Sequence, residues 1–495
     1  MQNQLLPFQF YQLTLGEVIA LYKYLVSDCE RVIKGGGSVD KIEVPLLLLV
    51  MLVTGSTVTR AAKLSVLKPG QKNSSAEIYL YPHRSSVDGV IPYEWGVRAF
   101  EPHYATDPIY ESTIRKRKVK SFFLPDFLGV GPMVAWYKSK SDTINKRRQD
   151  VFQKPIEVYE RHLKAYLKST PKHVSDRLTI TNVGKYLLHQ IVAITNDITA
   201  ASCITAQGHS LAGTRIHYSV LSVDYLRGVM KSAIEPLLRG IGKAACQEEF
   251  ARVRNPAYVG ARHCVNKESY KKAVESVIRD IRTAKSVRTL EELVEHHNLY
   301  TAYTVWMFNF GIAGRGNRSP LLETDQIDLV SCISTYRDKD IEQPYHARLI
   351  WLPPELIRQL SNYKEHLSAV KSVLMLYKDA EVINEYPRAG FFLKNDLKHN
   401  EIRAATMSDI LYKKYLNAPH NSHRRFIRSE LVEMGHPIES IDALMGHWFT
   451  GEEPWSYFSS FGFDKHIELL KQNIGQILNQ LGFRVCRSNL VTGKH

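Results

Sequence analysis

The sequence predicts an α+β chain, mostly helical and built of several domains. Three observations lead there. A length of 495 residues exceeds what one hydrophobic core usually serves, long stretches repeat apolar residues at helical spacing, and strand-like runs are few and short. Apolar residues make up 44% and charged residues 23% of the chain, the balance of a protein that buries a core.

Taken in order, the N-terminus has no positive region leading into an apolar stretch and a small-residue cleavage site, so export is not expected. Gly35-Gly36-Gly37-Ser38 breaks a first helical stretch from an apolar segment over residues 44–53. That segment contains Pro45 and falls short of the roughly 20 residues that cross a bilayer, so no membrane span is expected. Six cysteines lie scattered without a CxxC pair, which fits reduced thiols and a cytoplasmic protein. His263 and Cys264 are adjacent rather than spaced for one metal, and no metal site or cofactor is expected.

A formal charge of +15 points to a polyanionic partner. Positive charge concentrates between residues 110 and 148, in Arg115-Lys116-Arg117-Lys118, Lys120, and Lys146-Arg147-Arg148, with Phe122, Phe123, Trp136 and Tyr137 interleaved. Such a stretch can follow a phosphate backbone. Over residues 268–285, Val274, Val277, Ile278 and Ile281 form an apolar stripe while Lys271, Lys272, Arg279 and Arg282 occupy other faces, predicting an amphipathic helix with a basic exterior that can lie along DNA.

Chemistry-bearing residues concentrate in the C-terminal half. A helical run from about residue 289 leads into Gly311-Ile-Ala-Gly-Arg315. Strand-like runs over residues 329–335 and 346–352 flank a turn with Asp338-Lys339-Asp340. His420-Asn421-Ser-His423-Arg424 opens another helix. Gly435-His436-Pro437 precedes an apolar face of Ile438, Ile441, Leu444 and Met445, with the proline suited to the first helical position. His447 stands just past that helix, and Tyr457 follows ten residues later. Residues 464–481 read as one more amphipathic helix, ended by Gly482 and packed on its own domain.

In this order and at these intervals the C-terminal half resembles the catalytic domain of the tyrosine recombinases, the phage integrase family. Ile-Ala-Gly-Arg315 matches that family's first arginine turn, and Asp325-Gln-Ile327-Asp328 its lead into a β-hairpin, which favours Arg315 over Arg318. Lys339 matches the hairpin lysine. Arg424 lies eleven residues before Gly435 and twenty-three before His447, the family's steps from its second arginine. Two departures stand out: Asn421 occupies the family's histidine position, with His420 and His423 close by, and Tyr457 is at plus ten rather than plus nine.

The resemblance implies a small β-hairpin sheet within a helical catalytic domain, and site-specific cleavage and rejoining of double-stranded DNA through a 3′-phosphotyrosine, without metal or ATP. Two guanidiniums, Arg315 and Arg424, suit the charge that develops on phosphate oxygens. Tyr457 would be the nucleophile and Lys339 the general acid, while His447 and either His420 or Asn421 bind the phosphate or position the phenol. It also implies a synaptic dimer or tetramer on DNA, with accessory proteins. The expected domains are residues 1–235 for DNA binding, 236–298 for a helical core-binding region and 299–495 for catalysis. Residues 1–235 partly echo the catalytic layout, with Gly55, Arg60, a strand over residues 77–81, Gly208-His209 and Tyr218, but Tyr186 stands where the second arginine would be. This half is either a diverged, noncatalytic repeat or an ordinary helical DNA-binding region. The alternatives for the whole are a noncatalytic DNA-binding or assembly factor and a type IB topoisomerase.

Overall fold

A computed structural model describes residues 12–67, 76–82, 92–100, 107–115, 119–144, 150–207, 212–243, 257–283, 287–315, 320–337, 347–448 and 453–491. The chain is mostly helical with small sheets, an α+β protein. It divides into two compact units. One holds residues 1–102, 117–217 and 221–260; the other holds 103–116, 218–220 and 261–495. The boundaries expected after residues 235 and 298 both fall inside helices, Val223–Gly240 and Leu290–Ile312. A continuous hydrogen-bonded helix leaves no linker at either place.

The apolar run over residues 44–53 becomes the central helix of the first unit, Asp40–Thr54, buried along almost its whole length. A helix apolar on every face belongs in a core. Helix Leu15–Gly35 packs on one side of it and Ile180–Thr195 on another. The central helix ends on Gly55 in the left-handed conformation, where a side chain would meet Thr205 Cγ2 at 2.5 Å, so only glycine fits. A four-stranded sheet follows: Ser65–Val66 runs parallel to Ile78–Pro82, which continues antiparallel through Tyr93–Arg98 and Ser121–Pro125. Among the described residues, no helix is long and apolar enough to cross a membrane.

In the second unit, helix Leu290–Ile312 starts on a reciprocal capping box between Thr289 and Glu292, and every residue from Tyr300 to Ile312 is buried. Tyr270, Trp306, Phe310 and Phe426 pack edge to face or tilted around it, with ring centroids 5.0–6.2 Å apart. Tyr270 comes from the amphipathic helix Lys267–Thr283, whose buried side is the expected stripe. A three-stranded antiparallel sheet joins Ile327–Asp328, Ile333–Arg337 and Ala347–Trp351, with Ile333 opposite Trp351 and Arg337 opposite Ala347. The first hairpin strand therefore starts at Ile333 and not at residue 329. Asp328 accepts from the Val330 amide at 2.9 Å and the Ser331 hydroxyl at 2.6 Å, and this local turn competes with strand pairing.

Helices Ser422–Glu433, Ile438–Met445 and Phe463–Gln480 complete the unit, the last packing on its own unit as expected. Pro437 sits at the N-cap of its helix, one place before the first helical position. Before them, Ser408–Leu416 is a nine-residue π-helix, which the sequence does not announce.

The two units share a run of elements. In each, an apolar helix ends in a left-handed residue, Gly55 or Ala313, and a small sheet follows. Later, an eight-residue helix ending on a left-handed cap, Ile198–Thr205 or Ile438–Met445, precedes an 18-residue helix whose first residue lies 25 after the first of the short one, Val223–Gly240 or Phe463–Gln480.

Candidate active site

Two helix ends define the site. Leu290–Ile312 stops at Ala313, whose positive φ turns the chain so that Arg315 follows two residues on. Ile438–Met445 stops at Gly446, also left-handed, and His447 follows directly, its amide bonded to the Asp442 carbonyl at 2.8 Å. Carbonyls at a helix C-terminus carry partial negative charge and lack helical partners, so they attract cations.

Arg424 answers both ends at once. It projects from the first turn of Ser422–Glu433, is fully buried, and donates from Nη1 to the Ala313 carbonyl and from Nη2 to the Met445 carbonyl, the latter at 2.6 Å. One guanidinium thus holds the turn that presents Arg315 against the turn that presents His447. Next to it, His423 donates from Nε2 to the Gly314 carbonyl at 2.7 Å and is also fully buried. The turns that lead to Arg315 and His447, far apart in sequence, are brought together at Arg424.

Arg348 makes a second clip. Buried as the second residue of strand Ala347–Trp351, it donates from Nη1 to the Ile312 carbonyl at 2.9 Å and to the Leu444 carbonyl, and its guanidinium lies 5.4 Å from the Tyr336 ring centre. Sequence reasoning missed it, although strand alternation puts Arg348 on the same buried face as Ile350.

The other expected site residues fare differently. Asn421 adopts a left-handed conformation as the residue before the Arg424 helix, and His420 precedes it with its ring 6.3 Å from that of Tyr412. Of the three residues near the family's histidine position, His423 bonds the Gly314 carbonyl in the Arg315 turn. Lys339 lies outside the described residues. Tyr457 is 96% exposed, and its one ring contact among the described residues is with Phe458. The side chain of the expected nucleophile is open to solvent. It occupies a stretch of short turns that buries little of its own side-chain surface.

A different tyrosine stands beside Arg424. The Tyr218 ring centre is 4.9 Å from that of His447, 5.6 Å from the Arg424 guanidinium carbon and 5.4 Å from that of Arg425. Residues 218–220 belong to the second unit.

The basic residues expected on DNA divide three ways. Lys120, Lys271, Lys272, Arg279 and Arg282 are exposed. Lys116, Arg117, Lys118, Lys146, Arg147 and Arg148 lie outside the described residues. Arg115 is a correction: it is buried, with Nη2 on Glu430 and Nη1 3.6 Å from Glu433, and its guanidinium is 5.7 Å from the Phe426 ring centre. Two carboxylates and an aromatic face hold it inside the unit, where no phosphate backbone reaches.

Among the described residues no group of three or more His, Cys, Asp or Glu side chains is placed to hold a metal ion. No protein-family model matches the chain, and no curated protein or solved structure matches it either.

Proposed function

We propose that this chain is a DNA strand transferase of the tyrosine recombinase type, cutting and rejoining one strand at a time. The observation that carries the reading is the Arg424 guanidinium, joined at once to the turn before Arg315 and to the helix end before His447. An arrangement of three cationic or hydrogen-bonding side chains at two helix ends suits a single phosphodiester. Arg315 and His447 would meet the phosphate oxygens, and Arg424 would hold them in place while adding its charge from behind.

In the reaction, the Tyr457 oxygen attacks phosphorus as its proton leaves to solvent, and the bond from phosphorus to the 5′-oxygen breaks. Lys339 donates a proton to that departing oxygen. A phosphodiester is exchanged for a phosphotyrosine diester, so rejoining reverses the same steps and consumes nothing. Tyr457 must move into the site for this, which fits its place in an exposed turn. The run of elements that the first unit shares with the second supports reading it as a diverged, noncatalytic repeat that helps hold duplex DNA.

Nicked suicide duplexes carrying the DNA that flanks the gene test the proposal. A covalent protein-DNA adduct is expected, absent from Tyr457→Phe. The exposure of Tyr457 favours a second reading, a noncatalytic DNA-binding or assembly factor on the same fold. Sequence-specific binding without any adduct would establish that reading instead.

A further inference from the structure

The shared run of elements gives Tyr218 a position like that of Tyr457. Tyr218 lies five residues before helix Val223–Gly240 and Tyr457 six before Phe463–Gln480, each after an eight-residue helix. Yet Tyr218 is the one whose ring rests on Arg424, Arg425 and His447.

The contact is built rather than incidental. Arg428 donates from Nε to the Ser219 hydroxyl at 2.9 Å and from Nη1 to Asp442 at 2.6 Å. The Val220 amide donates to the Ser429 hydroxyl at 2.9 Å, and the Ala261 amide to the Ser219 carbonyl at 2.8 Å. Both residues flanking Tyr218 on its C-terminal side are therefore bound to the helix that carries Arg424, and Asp442 in turn accepts the His447 amide on its carbonyl.

An aromatic face attracts guanidinium groups and excludes water from them, which fixes a flexible arginine without neutralising it. The ring meets two neighbouring guanidiniums, those of Arg424 at 5.6 Å and Arg425 at 5.4 Å. The imidazole of His447, at the start of an irregular segment, is braced on its side by the same ring.

Resting on the recombinase reading for what the site does, we infer that Tyr218 is a positioning residue of the phosphate site: its ring, not its hydroxyl, sets Arg425 and His447 against Arg424. The ring suffices for this role, so phenylalanine replaces tyrosine and an aliphatic residue does not.

The full-length protein and three variants, Tyr218→Phe, Tyr218→Leu and Tyr218→Met, test the inference by two readouts. With the suicide duplex, Tyr218→Phe should form adduct within about twofold of the parent, while Tyr218→Leu and Tyr218→Met should fall at least about tenfold in rate at saturating DNA. In spectra of isotope-labelled histidines, with the His447 resonance identified by its loss in His447→Gln, that resonance should move in Tyr218→Leu and Tyr218→Met and stay in place in Tyr218→Phe. Parental cleavage by both aliphatic variants would overturn the inference. So would loss of adduct in Tyr218→Phe with adduct kept in Tyr457→Phe, since Tyr218 would then be the nucleophile. If the parent forms no adduct at all, the recombinase reading fails by itself, and the His447 resonance still decides: unmoved in the aliphatic variants, it removes Tyr218 from the site.

Discussion

Arg348 and Arg424 close on the same two helix ends: Arg348 takes the carbonyls of Ile312 and Leu444, and Arg424 takes those one residue later, Ala313 and Met445. Arg348 and Arg424 lie 76 residues apart on a strand and a helix, so the pair fixes the unit's topology at the point where the site is formed. Buried charge is costly by itself, and here aligned carbonyls offset that cost.

Replacing Arg348 with methionine preserves much of the bulk and leaves buried carbonyls without donors. The expected loss is about 2–4 kcal/mol of unfolding free energy, because each abandoned buried group costs about 1–3 kcal/mol. Denaturant unfolding of Arg348→Met measures it. A change under about 0.5 kcal/mol would mean that the clip does not hold the two ends.

Acid should weaken the fold through buried histidines. His436 and His466 meet across the Ser440 hydroxyl, at 2.7 and 2.8 Å, and burial pushes their pKa down to about 4 and about 3. His297 and His366 bond each other at 3.0 Å, with burial lowering His297 to about 3 and His366 well below its ordinary value. The unfolded chain, titrating near 6.5, binds more protons between these values. Stability is therefore complete above pH 6.5 and falls as pH drops from 6.5 towards 3. At pH 5 each such histidine accounts for on the order of 2 kcal/mol lost. Melting curves at pH 7 and pH 5 should show Tm falling, with a smaller fall in His436→Asn/His466→Gln. Equal Tm at the two pH values in the parent would contradict the neutral, buried assignment.

Much of this was legible in the sequence, for reasons that the exceptions clarify. Helices Lys267–Thr283 and Phe463–Gln480 were readable because each buries one stripe, and local spacing suffices for that. The order and intervals of Arg315, Arg424 and His447 were readable, and Arg424 ties together the two turns that lead to the others. Arg115 was misread because a run of four basic residues looks solvated, and nothing local reveals that Glu430 and Glu433 wait 315 and more residues away. Arg348 and Tyr218 act through carbonyls and ring faces, which any residue type supplies, so no motif announces them. The division into units was hidden because the second one takes up short pieces, 103–116 and 218–220, from within the first half of the chain.

Lys339 is testable by chemistry. On the proposed reading it is the acid that protonates the departing 5′-oxygen, a role that becomes dispensable when that oxygen is replaced by sulfur, whose thiolate leaves without a proton. Lys339→Ala should cut cleavage of ordinary DNA by about 100-fold or more and cleave the bridging phosphorothioate at close to the parental rate. An equal defect on both substrates would assign Lys339 to binding or folding.

The basic face of helix Lys267–Thr283 should show itself in the salt dependence of DNA binding. Lys271, Lys272 and Arg279 are exposed on that helix, and Arg282 stands close enough to Cys486 to act on its thiol. Each lysine or arginine that meets a backbone phosphate releases condensed counterions, contributing about 0.9 to the slope of log affinity against log salt. Substituting Lys271, Lys272 and Arg279 together with glutamine should therefore reduce the slope by close to 3 and weaken binding about equally for all sequences. Anisotropy titrations of a labelled duplex across a range of salt concentrations give both slopes. An unchanged slope would put the DNA on another surface, and a loss confined to one sequence would mean that these side chains read bases rather than phosphates.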